Sequence, residues 1–284
     1  MKNLRNENQK YDAWLHWDVT KRCNLDCDYC FGKITDTSVK VHSIDIDKLV
    51  SNLDKTGKTF RISFTGGEPT LVPNFIEACQ KITEKHYISF NSNLISKNIN
   101  KFSEKIDRER VLHIHASFHY DEFVEKGLLN RFIENYKLLE NNGFNIYAEA
   151  IAHPMYKEKL DNIKGIANKN SLVLSFAPFY GIFNEQSYPE SYSQEELDLF
   201  GISNKEISYF KQWNELCNAG YNAAVVFSNG NIYPCHQLKT KIGNIYEEFD
   251  FNNELVNCPS KKCGCPLNQY DEYLFEQATL DREH

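Results

Sequence analysis

Short apolar runs alternate with longer amphipathic stretches through the N-terminal part of the chain. Residues 14–20 read as a strand and 44–55 as a helix. Arg61-Ile62-Ser63-Phe64 and Tyr87-Ile88-Ser89-Phe90 read as strands, with helices near 73–85 and 98–107. Val111 to Phe118 is a strand, and 128–142 is a helix closed by Gly143 just past its C-cap. Phe144 to Ile151 and Leu172 to Phe176 add two strands, with a helical segment near 156–169 between them. Six units of this βα type predict an α/β fold with a parallel sheet and right-handed crossovers. The rhythm breaks over 178–212, where Phe179, Tyr180, Phe183, Tyr188, Pro189 and Tyr192 precede a helix from Gln194. Such a change of texture marks a linker or a cover between domains. Further on, Val225-Val226-Phe227 and Ile232-Tyr233 flank the polar turn Asn229-Gly230 and read as a hairpin. The chain therefore divides into a core of 1–195 and a smaller unit of 196–284.

Bulk properties narrow the chemistry. At 284 residues, 41% of them hydrophobic and 13% aromatic, the chain carries enough apolar surface for a large core. A net charge of −7 disfavours nucleic acid as the main partner, because phosphate binding needs a basic face. No apolar run is long enough to span a bilayer, and the start of the chain lacks the apolar core of a signal peptide. A cytoplasmic protein with no membrane partner is expected. In a reducing compartment, nine cysteines point to metal ligation rather than disulfides.

The cysteines fall in two groups. Cys23, Cys27 and Cys30 sit in a C-x3-C-x2-C loop directly after the first strand. Three thiolates from one short loop suit an iron–sulfur cubane and leave one iron without a protein ligand. The alternative is a zinc site completed by a distant histidine. Cys217, Cys235, Cys258, Cys263 and Cys265 lie in the turn-rich C-terminal part. A zinc ribbon is the plain structural reading of that second group. Cys79 reads as a buried helix residue.

The stretch Thr20-x2-Cys23-Asn24-Leu25-x-Cys27-x-Tyr29-Cys30 resembles the signature of the radical S-adenosylmethionine (radical SAM) superfamily. The resemblance implies a [4Fe–4S] cluster on Cys23, Cys27 and Cys30, with the methionine end of AdoMet chelating the fourth iron. It implies reductive cleavage of AdoMet to a 5′-deoxyadenosyl radical, with electrons from a flavodoxin- or ferredoxin-type reductant. Tyr29 matches the family's aromatic position near adenine. Gly66-Gly67-Glu68-Pro69-Thr70 follows the second strand and resembles the family's GGEPT turn, which holds the AdoMet amino group. Asn91-Ser92-Asn93 follows the third strand. Asn93 stands where the family more often has Gly, and Asn is the next best residue for a positive-φ position. Ser117 ends the fourth strand, where the family often places a serine that contacts AdoMet. The six units match the family's open, partial (β/α)6 barrel. All these turns follow strand ends, as active-site loops do in α/β barrels.

Period-two alternation puts His113, His115 and Ser117 on one strand face, and Tyr147 and Glu149 on one face of the next. His113, His115 and Glu149 are candidates for substrate binding or proton transfer; the plain reading is satisfied interior polar groups. The C-terminal hairpin with its cysteines resembles the SPASM/twitch extensions of radical SAM enzymes, in their shorter twitch form. That resemblance implies an auxiliary [4Fe–4S] cluster, with Cys217, Cys235, Cys263 and Cys265 preferred and Cys258 interchangeable.

The short lead before the first strand makes an N-terminal peptide-recognition domain unexpected. A small polar substrate such as a sugar or cyclitol is therefore expected, ending in oxidation with the auxiliary cluster as electron acceptor. The alternative is a maturase or epimerase acting on a ribosomally made peptide. A non-catalytic electron-transfer protein is disfavoured, because it needs no AdoMet pocket.

Overall fold

A computed structural model describes residues 11–30, 40–208, 213–261 and 274. Six strands run in chain order: β1 (Ala13–Thr20), β2 (Phe60–Gly66), β3 (Tyr87–Ser92), β4 (Val111–Ser117), β5 (Ile146–Ala152) and β6 (Leu174–Pro178). Each pairs in parallel with the next. The crossovers carry α1 (Ile46–Lys55), α2 (Phe75–Ile82), α3 (Ile99–Lys105), α4 (Tyr120–Glu125), α5 (Leu129–Asn141) and α6 (Leu160–Lys169). The expected βα rhythm is present, with strand ends displaced by one or two residues. The six-residue α4 was absent from the sequence reading, because its period is too short to register.

The same pattern that forms the helices buries them. Asp45 caps α1, its side chain accepting from the Lys48 amide. Gly143 follows α5 at φ +79°, the left-handed geometry expected after a helix C-cap. On the helix side of the sheet, Phe64 and Phe90 pack against Phe75 of α2, with centroids 5.3 and 5.7 Å apart. Phe90 also meets Phe102 of α3 edge-on at 4.9 Å. All four rings are buried. Truncating such a ring to alanine typically costs about 3–5 kcal/mol.

After β6 come a small hairpin, β7 (Gly181–Phe183) with β8 (Gln186–Tyr188), then α7 (Gln194–Phe200) and α8 (Asn204–Ser208). The helix expected from Gln194 is there, opened by a capping box between Ser193 and Glu196. Tyr188 and Tyr192 are buried, and the Tyr192 hydroxyl joins Ala152 O to the Phe179 amide. These two aromatics therefore brace the cover against the sheet.

The C-terminal part adds β9 (Leu216–Cys217), β10 (Ala223–Val226), β11 (Asn231–Tyr233), β12 (Gly243–Asn244) and β13 (Val256–Asn257). The expected hairpin is β10–β11, turning through Gly230 at φ +82°. It joins the main sheet: β10 pairs in parallel with β1, so the strand order is β12-β11-β10-β1-β2-β3-β4-β5-β6. The sheet ends at β12 on one side and β6 on the other and does not close into a barrel. Among the described residues, no helix is long and apolar enough to cross a membrane.

Candidate functional site

A closed α/β barrel fills its interior with bulky aliphatic side chains. Here the concave face of the sheet is polar. It presents His16 and Asp18 on β1, Ser63 on β2, Ser89 on β3, His113 and His115 on β4, and Tyr147 and Glu149 on β5. Hydrogen bonds run across it: Trp14 Nε1 donates to Ser63 Oγ at 2.7 Å, and Ser63 meets Ser89 at 2.6 Å. His115 Nε2 lies 3.1 Å from Glu149 Oε2, and its ring stacks on Tyr147 with centroids 5.2 Å apart. Such a face leaves room for a polar ligand.

At the C-terminal rim lies a cavity of about 220 Å³. Cys23, Cys27, Tyr29 and Cys30 line it from the loop after β1, and Gly66, Gly67 and Glu68 from the turn after β2. Asn93 and Ser117 contribute from the ends of β3 and β4. Every residue singled out for the first cluster and for AdoMet thus meets at one cavity. His113, His115 and Glu149 share its sheet face but are not among its lining residues. Phe179 and Tyr180 complete the wall from just beyond β6.

The turn after β2 is built by close backbone contact. Gly67 N donates to Thr20 O at 2.7 Å, and Glu68 N to Arg22 O at 2.9 Å. A Cβ on Gly66 would stand 2.2 Å from Thr20 O, and one on Gly67 2.1 Å from Arg22 O. Gly66 also adopts φ +117°. Only glycine lets the turn lie this close to the start of the cysteine loop.

Glu68 ties three elements together. Its Oε1 accepts from Thr70 N (3.0 Å), Thr70 Oγ1 (2.6 Å) and Ser92 Oγ (2.9 Å), and its Oε2 from Asn93 N at 2.9 Å. An oxygen offers two lone pairs, so Oε1 is fully used and Oε2 keeps room for one further donor. Burial pushes the carboxyl up, against the pull of these donors. Asn93 Nδ2 bonds Asn24 Oδ1 at 2.7 Å and so links this turn to the cysteine loop. The positive φ expected at Asn93 falls instead on Leu94, at +55°. Leu94 is fully buried and its amide donates to Ser92 Oγ, so packing and a local bond hold a conformation that leucine disfavours.

His119 is a site residue the sequence reading missed. Its Nδ1 lies 2.9 Å from the Tyr29 hydroxyl and 3.3 Å from Cys27 Sγ. Its ring stacks on Tyr29 with centroids 6.0 Å apart. Burial lowers its pKa to about 4, so the ring is neutral near pH 7. Its place two residues past Ser117, at the catalytic end of a strand, was the available signal. Asp26 N donates to Glu122 Oε2 at 2.8 Å and fixes the other side of the loop.

The fit to an iron–sulfur cluster rests on this donor set. Burial pushes the Cys27 thiol up to about 12 and raises that of Cys23, so both stay protonated until a metal stabilises the thiolate. Three thiols from one loop, beside a carboxylate oxygen with spare capacity, match three cluster ligands and an ammonium group.

The second cysteine group is dispersed. Cys217, at the end of β9, and Cys235, just past β11, belong to one small apolar cluster with Trp14 and Val225. Cys258 follows β13, which pairs with β9, and its amide donates to Glu215 O at 2.8 Å. Cys235 and Cys258 are free thiols, and Cys217 Sγ accepts from the Ala219 amide at 3.4 Å. Cys263 and Cys265 lie outside the described residues. Cys79 is buried in α2, as expected.

Comparison with known proteins agrees with this geometry. The model of the radical SAM superfamily matches residues 17–168, and the chain belongs to that superfamily. Membership implies a [4Fe–4S] cluster and AdoMet as cofactors. The chain is 23% identical over 271 residues to the antilisterial bacteriocin subtilosin biosynthesis protein AlbA of Bacillus subtilis. That match covers 85% of the chain and 60% of AlbA, so the chain spans well under the full length of this relative. Among solved structures, native anSMEcpe with bound AdoMet and the Cp18Cys peptide superposes with a TM-score of 0.58 at 17% identity, covering 83% of this chain and 78% of that one. Streptococcus suis SuiB bound to its precursor peptide SuiA gives a TM-score of 0.56 at 18% identity, covering 94% of this chain and 66% of that one. At these identities the structures establish the shared fold.

Proposed function

We propose that this radical SAM enzyme modifies a peptide. The observation that carries the reading is the likeness to SuiB bound to its precursor peptide, which extends over 94% of the chain. AlbA, a bacteriocin biosynthesis protein, and the peptide-bound anSMEcpe point the same way. The small sugar or cyclitol substrate expected from the sequence has no comparable support.

A [4Fe–4S] cluster with AdoMet bound would supply reductive radical chemistry able to remove hydrogen from substrate. The chain's own residues set the stage for that chemistry. Cys23, Cys27 and Cys30 hold the cluster. Glu68 Oε2 receives the AdoMet ammonium group, while its other contacts keep the carboxylate in place. Gly66 and Gly67 let the backbone reach the amino acid end of AdoMet, and Asn93 and Ser117 close its side of the cavity. Tyr29, held by His119, presents an apolar ring to adenine. An extended peptide enters through the unclosed side of the sheet, past Phe179 and Tyr180, and crosses the polar face carrying His113, His115 and Glu149. The His115–Glu149 pair there orients the peptide or accepts a proton from it. Residues 196–284 form the auxiliary unit, with a second cluster on cysteines of the C-terminal group as electron acceptor. A flavodoxin- or ferredoxin-type protein delivers an electron to the first cluster, and the electron taken from substrate by the second cluster leaves to the same kind of carrier.

The test is turnover by anaerobically reconstituted enzyme with AdoMet and dithionite. One arm holds a short peptide encoded beside this chain's gene, and the other a panel of sugars and aminocyclitols. A mass change in the peptide, with 5′-deoxyadenosine formed in step, is the expected result. A change confined to the small molecules would return the function to the first expectation.

A further inference from the structure

The peptide reading leaves unused a cluster of polar side chains on the concave face of β1. His16 and Asp18 point to that face, between Trp14, which packs with Cys217, and Thr20, which leads into the first cysteine loop. His236, directly after Cys235, reaches back to them. Its Nε2 lies 3.2 Å from Asp18 Oδ2, and its ring meets that of His16 edge-on with centroids 5.8 Å apart. One ligand atom from each of the three residues lies within 4.8 Å of the other two. His16 Nδ1 is shielded from solvent and has no hydrogen-bond partner. A buried polar atom without a partner is rare in native proteins, and a bound ion or water is an ordinary explanation for it.

We propose that His16, Asp18 and His236 form a binding site for a divalent transition-metal cation of the zinc, iron(II) and cobalt(II) class, separate from both cysteine groups. Two imidazoles and one carboxylate suit these cations, and three protein ligands leave open positions for water or a substrate oxygen. Ligands at about 2.1 Å from one ion sit at most about 4.2 Å apart, so the observed spacing needs only small side-chain rotations to close. A cavity of about 330 Å³ between Phe227, Tyr233 and Leu238 reaches His236 and gives an ion a way in. Strand and hairpin supply ligands together, so the ion would also pin β10–β11 to the edge of β1.

Cobalt(II) is the probe. Enzyme with its clusters reconstituted, and loosely held metal removed by chelator, is titrated with cobalt under anaerobic conditions. One equivalent per chain is expected, with visible ligand-field bands and without the intense charge-transfer absorption of cobalt thiolates. His236→Ala and Asp18→Asn should each weaken this binding at least about tenfold with cluster iron unchanged, since losing even an outer-shell partner costs about 10–100-fold. Both residues are partly exposed, with side chains 31% and 28% accessible, so these two variants decide the outcome if His16→Ala does not fold. The proposal is overturned if no stoichiometric cobalt binds, if the bound cobalt shows thiolate absorption, or if binding survives both variants.

Discussion

The two cysteine groups differ in how the fold assembles them. Cys23, Cys27 and Cys30 come from one loop of eight residues, clamped by Glu122 of α4 and, past neighbouring strand ends, by Asn93, His119 and the glycine turn. Cys217, Cys235 and Cys258 come from three separate short strands or their ends; Cys217 and Cys235 share one small apolar cluster beside Trp14, and Cys258 follows the strand paired with β9. The first group is a local motif with a non-local clamp. The second is spread over tertiary structure, so no local spacing ties its cysteines together.

That contrast predicts a hierarchy of effects. The largest is expected from replacing Cys23, Cys27 and Cys30 together by alanine. The variant should make no 5′-deoxyadenosine from AdoMet and dithionite, yet keep the iron of the C-terminal group. Loss of all iron on this change would mean that the two groups do not load independently.

Gly67→Ala comes next. Its new methyl would meet Arg22 O in backbone that has no side chain to yield. Overpacking of this kind costs about 1–3 kcal/mol or more, so both the melting temperature and AdoMet affinity should fall. A variant with unchanged melting and unchanged AdoMet binding by calorimetry would show that the turn does not need its close approach.

Glu68 separates clamp from ligand. Glu68→Ala strands the buried amide donors of Thr70 and Asn93, at about 1–3 kcal/mol for each group left unsatisfied. Glu68→Gln keeps one carbonyl acceptor and should recover part of that stability while still binding AdoMet weakly, having lost its charge. Equal AdoMet affinity in wild type and the glutamine variant would remove Glu68 from the ammonium site and leave it a structural tie.

The smallest effect is expected at His119. His119→Phe preserves the stack on Tyr29 and removes the bond to its hydroxyl. About 1 kcal/mol is lost with such a bond, so AdoMet affinity should weaken about fivefold with cluster iron intact. A variant that fails to load the first cluster would give His119 a larger role, through Cys27.

The same contrast governs what the sequence made legible. The C-x3-C-x2-C loop, the GGEPT turn and six strand–helix units were readable because each is encoded by near neighbours. So was the β10–β11 hairpin, from Asn229-Gly230 between two apolar runs. Its pairing with β1 was not readable, since β-pairing over some two hundred residues leaves no periodic trace. His119 lacked a local pattern, and the positive φ at Leu94 ran against leucine's preference because tertiary packing overrode it. Tyr188 and Tyr192 showed in the sequence only as part of a change of texture, and their burial against β5 and Phe179 became visible only in the fold.

The most direct measurement is the iron content of anaerobically reconstituted wild-type enzyme beside a Cys217→Ala, Cys235→Ala double variant. Two [4Fe–4S] clusters predict about eight irons per chain in the wild type and about four in the variant, with 5′-deoxyadenosine still formed by the latter. About four irons in both proteins, with zinc bound stoichiometrically at the C-terminal cysteines, would contradict the two-cluster account.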